Sequence, residues 1–580
     1  MLSKLFPYIR GYRLAALIAP LLVVLESVCE LILPRLMGNI IDIGIDGGGG
    51  FAYILRVGAM MLALALVSMA AGAFSVRFAA AGSQGFGYNL RRAMFEKTQE
   101  FSFADIDRFS SASLITRLTN DVNNIQNMVN MGLRMLVRAP VMLLAALLLC
   151  YRLQPRLTLI LVIVVPVMAL LVGLIMTRAH RLFENMQKRI DGLNSTVQEN
   201  LVGIRVVKAF VREGYEKTKF ARSNDALKEA AIQAITHVVL LQPVMMLCFN
   251  VSMVLVLWIG GQMVIGDSFS RGELFTFISY IMNVLMSVMM LAFALLQLTR
   301  ARASAERIVE VLENVPDIRD APDAHNRTLP EKQGAVEFRD VSFKYARGGA
   351  GDDVLAHISL DIRPGEFVAV VGGTGVGKSS LVNLIPRFYD VTGGAVLVDG
   401  LDVRSYPVEA LRERIGMVLQ NNVLFSGTIR ENLLWGDPEA TEEQLVQAAA
   451  DAQALDFILS QPEGFDTMLD QGGVNLSGGQ KQRLCIARAM LRRPSILILD
   501  DSTSAVDSAT EAAIRKSFRE NLKGTTVIII AQRISSVRYA DKIVILEDDH
   551  IAGLGDHATL LRENGIYQEI YNSQQEGVKE

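Results

Sequence analysis

Hydrophobic positions follow two different rhythms along this chain. Up to about residue 300 they come in long runs, six of which can cross a bilayer as helix, which takes roughly 20 residues. These runs fall at about 14–37, 52–80, 134–153, 156–178, 237–265 and 273–299. Ahead of the first, Leu2 to Arg10 predicts a helix lying at the membrane interface, with Phe6 and Tyr8 as anchors and Lys4 and Arg10 towards headgroups. The links after the first, third and fifth runs are short, at Asp42 to Gly50, Arg152 to Arg156 and Gly266 to Gly272. Those after the second and fourth are long, polar and rich in Arg and Lys. The positive-inside rule therefore places them, and both ends of the membrane domain, in the cytoplasm. Few breakers interrupt the long connections, so they are expected to extend the spanning helices into the cytoplasm and bend at short turns.

Beyond the spans the rhythm changes. Residues 311–334 carry Pro316, Pro322 and Pro330 among many charges and predict a linker between a six-span domain (1–310) and a second domain (335–580). In the latter, short β-type runs at 336–338, 367–371, 415–419, 496–499, 526–530 and 543–546 alternate with helical patterns. The expected fold is an all-α, six-helix transmembrane domain followed by an α/β domain with a largely parallel core sheet.

Composition sharpens this only a little. Hydrophobic residues make up 51% of the chain and charged ones 20%, a membrane protein's balance. A net charge of −3 gives no argument for nucleic acid as a partner. Cys29, Cys150, Cys248 and Cys485 are scattered with no metal-ligand spacing and read as packing residues. No cleavable signal peptide is visible, since the basic start runs into the first span without a small-residue cleavage site.

The chemistry concentrates in the second domain. Gly372, Gly373, Thr374, Gly375, Val376, Gly377, Lys378 and Ser379 read G-x-x-x-x-G-K-S between a strand and a helix that begins with Ser380. This is the arrangement in which loop N–H groups and a helix N-terminus hold phosphate, Lys reaches the β- and γ-phosphates and Ser holds Mg²⁺. Tyr345 follows the first strand and can stack on an adenine. Gln420, at the end of the 415–419 strand, can reach Mg²⁺ or a water. Leu476, Ser477, Gly478, Gly479 and Gln480 precede a helix and offer a second phosphate-binding surface. Asp500 ends an apolar strand and suits Mg²⁺ held through water.

In the membrane half, Glu26 and Glu30 stand four apart in the first span, on one helix face. Intramembrane carboxylates are costly, and they are candidates for cationic substrates or proton coupling. The competing readings are water at a cavity wall or pairing with a partner chain. Met286 and Met290, in a methionine-rich sixth span, are candidate contacts for an apolar substrate.

The phosphate loop, Leu476–Gln480, Leu499-Asp500 and the Ser504-Ala505-Val506-Asp507 turn, in this order after six spans, resemble the ATP-binding cassette transporters. Together with the six spans they are similar to one subunit of a six-helix, half-transporter exporter, over almost the whole chain. The resemblance implies ATP and Mg²⁺ as ligands, the cell membrane (a bacterial cytoplasmic membrane) as location, and head-to-tail pairing of two cassettes. Each ATP would then lie between the phosphate loop of one cassette and the signature Ser477–Gln480 of the other. It also implies coupling helices near residues 101–110 and 207–216, the second docking on the opposite cassette. Two positions depart from the family pattern. Asp501 stands where the family's catalytic base is glutamate, and Gln532 stands where it has a switch histidine. The resemblance then implies a heterodimer: this chain's own loop, with Asp501 and Gln532, forms a degenerate site, and its signature, through Ser477 and Gly479, completes the competent one. The expected activity is ATP-driven export of amphipathic small molecules, drug-like, lipid or peptide. No peptidase-like segment precedes the first span, which weakens a leader-cleaving peptide exporter. The alternatives are a homodimeric lipid flippase and a nucleotide-gated membrane protein.

Overall fold

The computed structural model describes residues 2–326, 328–345, 353–501 and 506–576. Its contacts divide them into a membrane unit (Met1–Gln99 with Ser111–Asn314) and a C-terminal unit (Glu100–Ser110 with Val315–Glu580).

The membrane unit is helical throughout. Helix α1 is Arg13–Asn39 and α2 is Gly50–Gln99. The second long polar connection and its flanking spans form α5 (Pro155–Val202), a short α6 (Ile204–Ala209), α7 (Glu213–Val239) and α8 (Leu241–Ile265). Helices α4 (Val122–Leu153) and α9 (Arg271–Glu313) pack along each other, as do α1 and α2. Among the described residues, six helical stretches are long and apolar enough to cross a membrane, one for each run seen in the sequence. As expected, α2, α5 and α7 carry the helix far past the apolar run. The second short helix departs from expectation. It is α6, at Ile204–Ala209, and Glu213 already opens α7. Gly203 ends α5, and Val211, at φ 52°, makes the return turn, so the break comes earlier than residues 207–216.

Backbone-level contacts tie the outer ends of α1 and α9. Thr276 Oγ1 donates to Pro34 O at 3.0 Å and Tyr280 OH to Leu31 O at 2.8 Å. A Cβ built on Gly272 would lie 2.1 Å from Gly38 O, so only glycine allows this approach. Asp42, in the segment that follows α1, accepts from Ser270 Oγ at 2.6 Å and from Gly272 N at 2.7 Å, so it ties that segment to the start of α9. At the other end, Asp121, almost fully buried, is held by Arg307 and by Ser304 Oγ at 2.8 Å. The N-terminal segment Leu2–Ile9 buries Leu5 and leaves Phe6 exposed, as an interfacial helix should. Asn89 Nδ2 holds it through Tyr8 O (2.8 Å) and Arg10 O (2.9 Å).

The C-terminal unit holds two main sheets. One is antiparallel, in the order β2-β1-β4-β5, from β1 (Val336–Phe343), β2 (Leu355–Ile362), β4 (Gly393–Val398) and β5 (Leu401–Asp402). The core sheet is built from β3 (Phe367–Gly372), β6 (Ile415–Val418), β9 (Ile496–Asp500), β10 (Thr526–Ile530), β11 (Lys542–Glu547) and β12 (His550–Gly555), with Gly427–Thr428 and Met468–Leu469 forming the small pair β7 and β8. Its order is β12-β11-β3-β10-β9-β6, parallel except for the β12 edge. Alternate residues of the buried strands feed two separate cores. Val368, Val370, Ile498 and Ile528 face one, and Ala369, Val371, Leu497 and Ile529 face the other. The linker residues are pinned by a buried ion pair. Arg414 and Asp399 meet at 2.8 Å, Arg414 Nη2 reaches Pro330 O, and Asp399 Oδ1 accepts from Gly334 N and Ala335 N.

Candidate functional site

The parallel register brings the candidate residues to one edge. Ile530 pairs with Asp500 and with Val370, and Val418 pairs with Leu499. The phosphate loop after β3, Gln420 after β6, Asp500 and Asp501 at the end of β9, and Gln532 after β10 therefore share the carboxyl edge of one sheet. Ligands of open α/β sheets bind at that edge.

The loop runs from β3 into helix α10 (Lys378–Asn383). Gly375 and Gly377 adopt φ 88° and 87°, and a Cβ on Gly377 would press to 2.9 Å from Val354 O, so the path requires glycine. Lys378 Nζ bonds Gly372 O at 3.0 Å and Gly373 O, curling over the loop. Burial lowers its pKa, and Asp501 and Asp500 partly restore it. Ser379 Oγ donates to Asp500 Oδ1 at 3.0 Å. Asp500 is 5% exposed, and burial raises its pKa against the opposing Ser379 bond, with nearby Asp501 adding to the rise. A buried carboxylate held in that state, with a serine hydroxyl on it, is a donor set that fits Mg²⁺. Gln420 is exposed at the same edge.

Tyr345 is half-exposed, and its hydroxyl meets Ser380 Oγ at 2.8 Å in the first turn of α10. Its ring stands edge-on to Tyr389 at 5.2 Å. Tyr389 in turn donates to Asp107 Oδ2 at 2.8 Å, on the short helix Phe103–Phe109, whose Phe103 stacks on Phe388 at 4.2 Å. That short helix lies within the 101–110 expected for a coupling helix. It joins the nucleotide side through a continuous run of rings that sequence reasoning missed.

Asp501 and Gln532 meet each other. Gln532 Nε2 donates to Asp501 Oδ2 at 3.0 Å. Asp501 sits at φ 47°, with its pKa raised by burial and lowered by Lys378 and Gln532. The Gln532 carbonyl accepts from Gln574 Nε2 at 2.8 Å, so the C-terminal helix Gly565–Glu576 fixes this turn.

Ser477 caps the signature helix α11 (Gly478–Leu491). Its hydroxyl accepts from Gln480 N at 3.3 Å, and Gln480 Oε1 accepts from Ser477 N at 2.9 Å. Gln480 thus completes a capping box, which Ser-x-x-Gln spells in the sequence. Ser477 and Gly478 are exposed, Gly479 half-buried. Helix α10 packs through Leu381 and Val382 into one core, and α11 through Leu484 and Ile486 into the other. The helix after the G-x-x-x-x-G-K-S loop and the helix after Ser477 therefore lie on opposite faces of the core sheet. Of the Ser504–Asp507 turn, Ser504 and Ala505 lie outside the described residues. Val506 is buried, and Asp507 caps the helix Ser508–Asn521.

In the membrane unit, Glu26 and Glu30 both contact Arg138 of α4, at 2.6 Å each. Their partner is in this chain, within the third span. An arginine inside an apolar run was the signal for it. Met286 is exposed and Met290 half-buried on α9, away from the cavity that Glu26 and Glu30 line.

Comparison with known proteins agrees with this geometry. Residues 16–289 match the family described as ABC transporter transmembrane region, and residues 355–504 match the family described as ABC transporter. The chain is 39% identical over 99% of its length to the ABC transporter ATP-binding protein YfiB of Bacillus subtilis (strain 168), covering 98% of that protein. It is 35% identical over 84% of its length to an ATP-dependent lipid A-core flippase of Syntrophus aciditrophicus (strain SB), covering 80% of it. A solved structure of a bacterial Atm1-family ABC exporter with ATP bound superimposes with a TM-score of 0.81 at 26% identity, over 97% of this chain and 98% of that one.

Proposed function

The chain belongs to the ATP-binding cassette transporters, and from that premise we propose that it is one half of a heterodimeric exporter of amphipathic molecules. This is a multi-pass membrane ATPase of the exporter type, with six spanning helices and an α/β nucleotide domain.

The observation that carries the two-chain reading is the placement of α10 and α11 on opposite faces of the sheet. A phosphate loop and a signature so separated are completed by a second cassette. The exposed Ser477 and Gly478 at a helix N-terminus are then a half-site offered outward.

In this chain's own half-site, the loop N–H groups and Lys378 hold the phosphates, and Tyr345 stacks on the base. Ser379 and Asp500 would hold Mg²⁺, with Gln420 beside them. When bound, Mg²⁺ neutralises charge on the phosphates. Asp501 would orient and deprotonate the attacking water. It is one methylene shorter than glutamate, a loss of roughly 1.5 Å of reach. A displacement of that order can cost about 10²-fold. Gln532 can donate to a γ-phosphate but cannot carry a proton's charge. Two such changes in one catalytic shell favour a slow site here and a competent site at Ser477–Gln480, with loop, glutamate and histidine from the partner.

The test is ATPase activity after co-expression with the partner subunit. Asp501→Asn should leave most of the activity and Ser477→Arg should remove most of it. Equal losses would sink the asymmetric reading, as would full activity from this chain alone. A homodimeric lipid flippase is the second reading, favoured by the likeness to a protein named as a lipid A-core flippase.

A further inference from the structure

Between the first three spans lies a cavity of about 470 Å³. Its polar end carries Glu26, Glu30 and Arg134, and its walls include Leu33, Met69 and Val76. The carboxylates are not available as a bare negative pair, because Arg138 contacts both at 2.6 Å. Arg134 is different. It stands one helical turn from Arg138, on the same face of α4. Among the described residues it makes no hydrogen bond or ion pair, and its Nε is buried without a partner. Guanidinium in a membrane is costly unless it pairs or faces a cavity that holds its counterpart. Two carboxylates and two guanidiniums sum to zero, so the polar end is a dipole rather than a cation trap. Of the two acids, the Glu30 side chain is the more open, at 32% against 13% for Glu26.

We propose that this cavity is a head-group subsite of the export route and takes a zwitterionic amphiphile. The phosphate or carboxylate of the head lies on the Arg134 guanidinium, its ammonium lies against Glu30, and its chain lies along Leu33, Met69 and Val76. The proposal rests on the export reading above and deepens it. It replaces attraction of cations, the first expectation for Glu26 and Glu30, by recognition of a head bearing both charges.

The experiment measures stimulation of ATPase activity of the complete transporter in dodecyl-maltoside micelles, which bring no charged head of their own. Three probes are compared: phosphatidylethanolamine, 2-aminohexadecanoic acid and hexadecylamine. The expected result is that both zwitterions stimulate at lower concentration than the amine. Arg134→Gln should raise their half-maximal concentration about tenfold, the scale of one lost charge-assisted hydrogen bond, with that of hexadecylamine not raised. Arg134→Lys should recover part of the loss. A stronger response to phosphatidylethanolamine assigns a lipid head, and a stronger response to the amino acid assigns a carboxylate head. The inference is overturned if Arg134→Gln leaves the zwitterion response unchanged, if Gln and Lys variants lose it equally, or if hexadecylamine is as potent as the zwitterions. If no probe stimulates the wild type, the amphiphile-export reading itself fails.

Discussion

Replacing Arg138 by Gln removes the guanidinium that Glu26 and Glu30 both contact at 2.6 Å. Two carboxylates then stand one helical turn apart inside a membrane segment, each without its cation. Orphaning one partner of a buried ion pair costs about 3–5 kcal/mol, because the remaining charge keeps its desolvation penalty and loses its compensation. Here burial is incomplete. The side chains are 13% exposed at Glu26, 32% at Glu30 and 25% at Arg138. The cost should fall mostly on Glu26, at about 2–3 kcal/mol, with about 1 kcal/mol at the more open Glu30. That inequality makes a sharp prediction for the double variants. Arg138→Gln with Glu26→Gln should recover most of the lost stability, and Arg138→Gln with Glu30→Gln much less. The assay is the thermal midpoint of the full-length protein in nanodiscs, with the single and double variants treated as a cycle. If Arg138→Gln is neutral, or if the Glu30 variant rescues as well as the Glu26 variant, burial does not set the energetics of this triad.

Two further perturbations address the C-terminal unit. Tyr389→Phe keeps the rings but removes the 2.8 Å bond to Asp107, made by a phenol that burial and Asp107 hold protonated with its pKa above the usual range. At about 1 kcal/mol for a bond this exposed, substrate-stimulated ATPase should fall roughly fivefold with the basal rate little changed. Asp107→Ala, which removes the acceptor, should do the same, and the double variant should fall no further. Asp500→Asn should stabilise the nucleotide-free protein and abolish its stabilisation by Mg·ATP, read as thermal midpoints. The sign follows from the raised pKa of Asp500. Its folded form resists ionisation, so the stability it contributes is complete below the ordinary aspartate value of 3.8 and is lost as pH rises through the raised value. The advantage of the Asn variant should therefore grow with pH across that window, and a constant difference would contradict it.

The parts of this molecule legible in its sequence are those where one local rule decides. Six long apolar runs, each requiring a helix, became six long helices. The phosphate loop announced itself through glycines that the backbone requires at φ near 90°. Strand β2 was harder to read. Its buried positions alternate with His357, Ser359 and Asp361, a half-solvated pattern, so a search for continuous apolar runs passes over it. Of the antiparallel sheet only the start of β1, at 336–338, was legible, and β1 runs on to Phe343 through a bulge at Asp340, φ 51°. Long-range pairings were not legible at all. Arg138 lies 112 positions from Glu26, and Tyr389 lies 282 from Asp107. No periodicity links such residues, and only the packing of helices and loops brings them within hydrogen-bond reach.

The structure also adds a local reason for the aspartate that the proposed slow site turns on. Asp501 occupies a left-handed backbone position, which aspartate tolerates better than most residues. A conformational preference alone could explain the substitution if it stood by itself. It does not, because Gln532 faces it and the two satisfy each other at 3.0 Å. An amide that donates to the carboxylate favours its ionised form, against burial, which favours the neutral one. The same bond turns the carboxylate towards β10 and uses one of the two N–H donors of the Gln532 amide. A glutamate–histidine pair would have a longer reach and a group able to become cationic, whereas this pair has neither. On the proposed reading, its remaining contribution is to hold the edge of a site that binds nucleotide firmly and turns it over slowly.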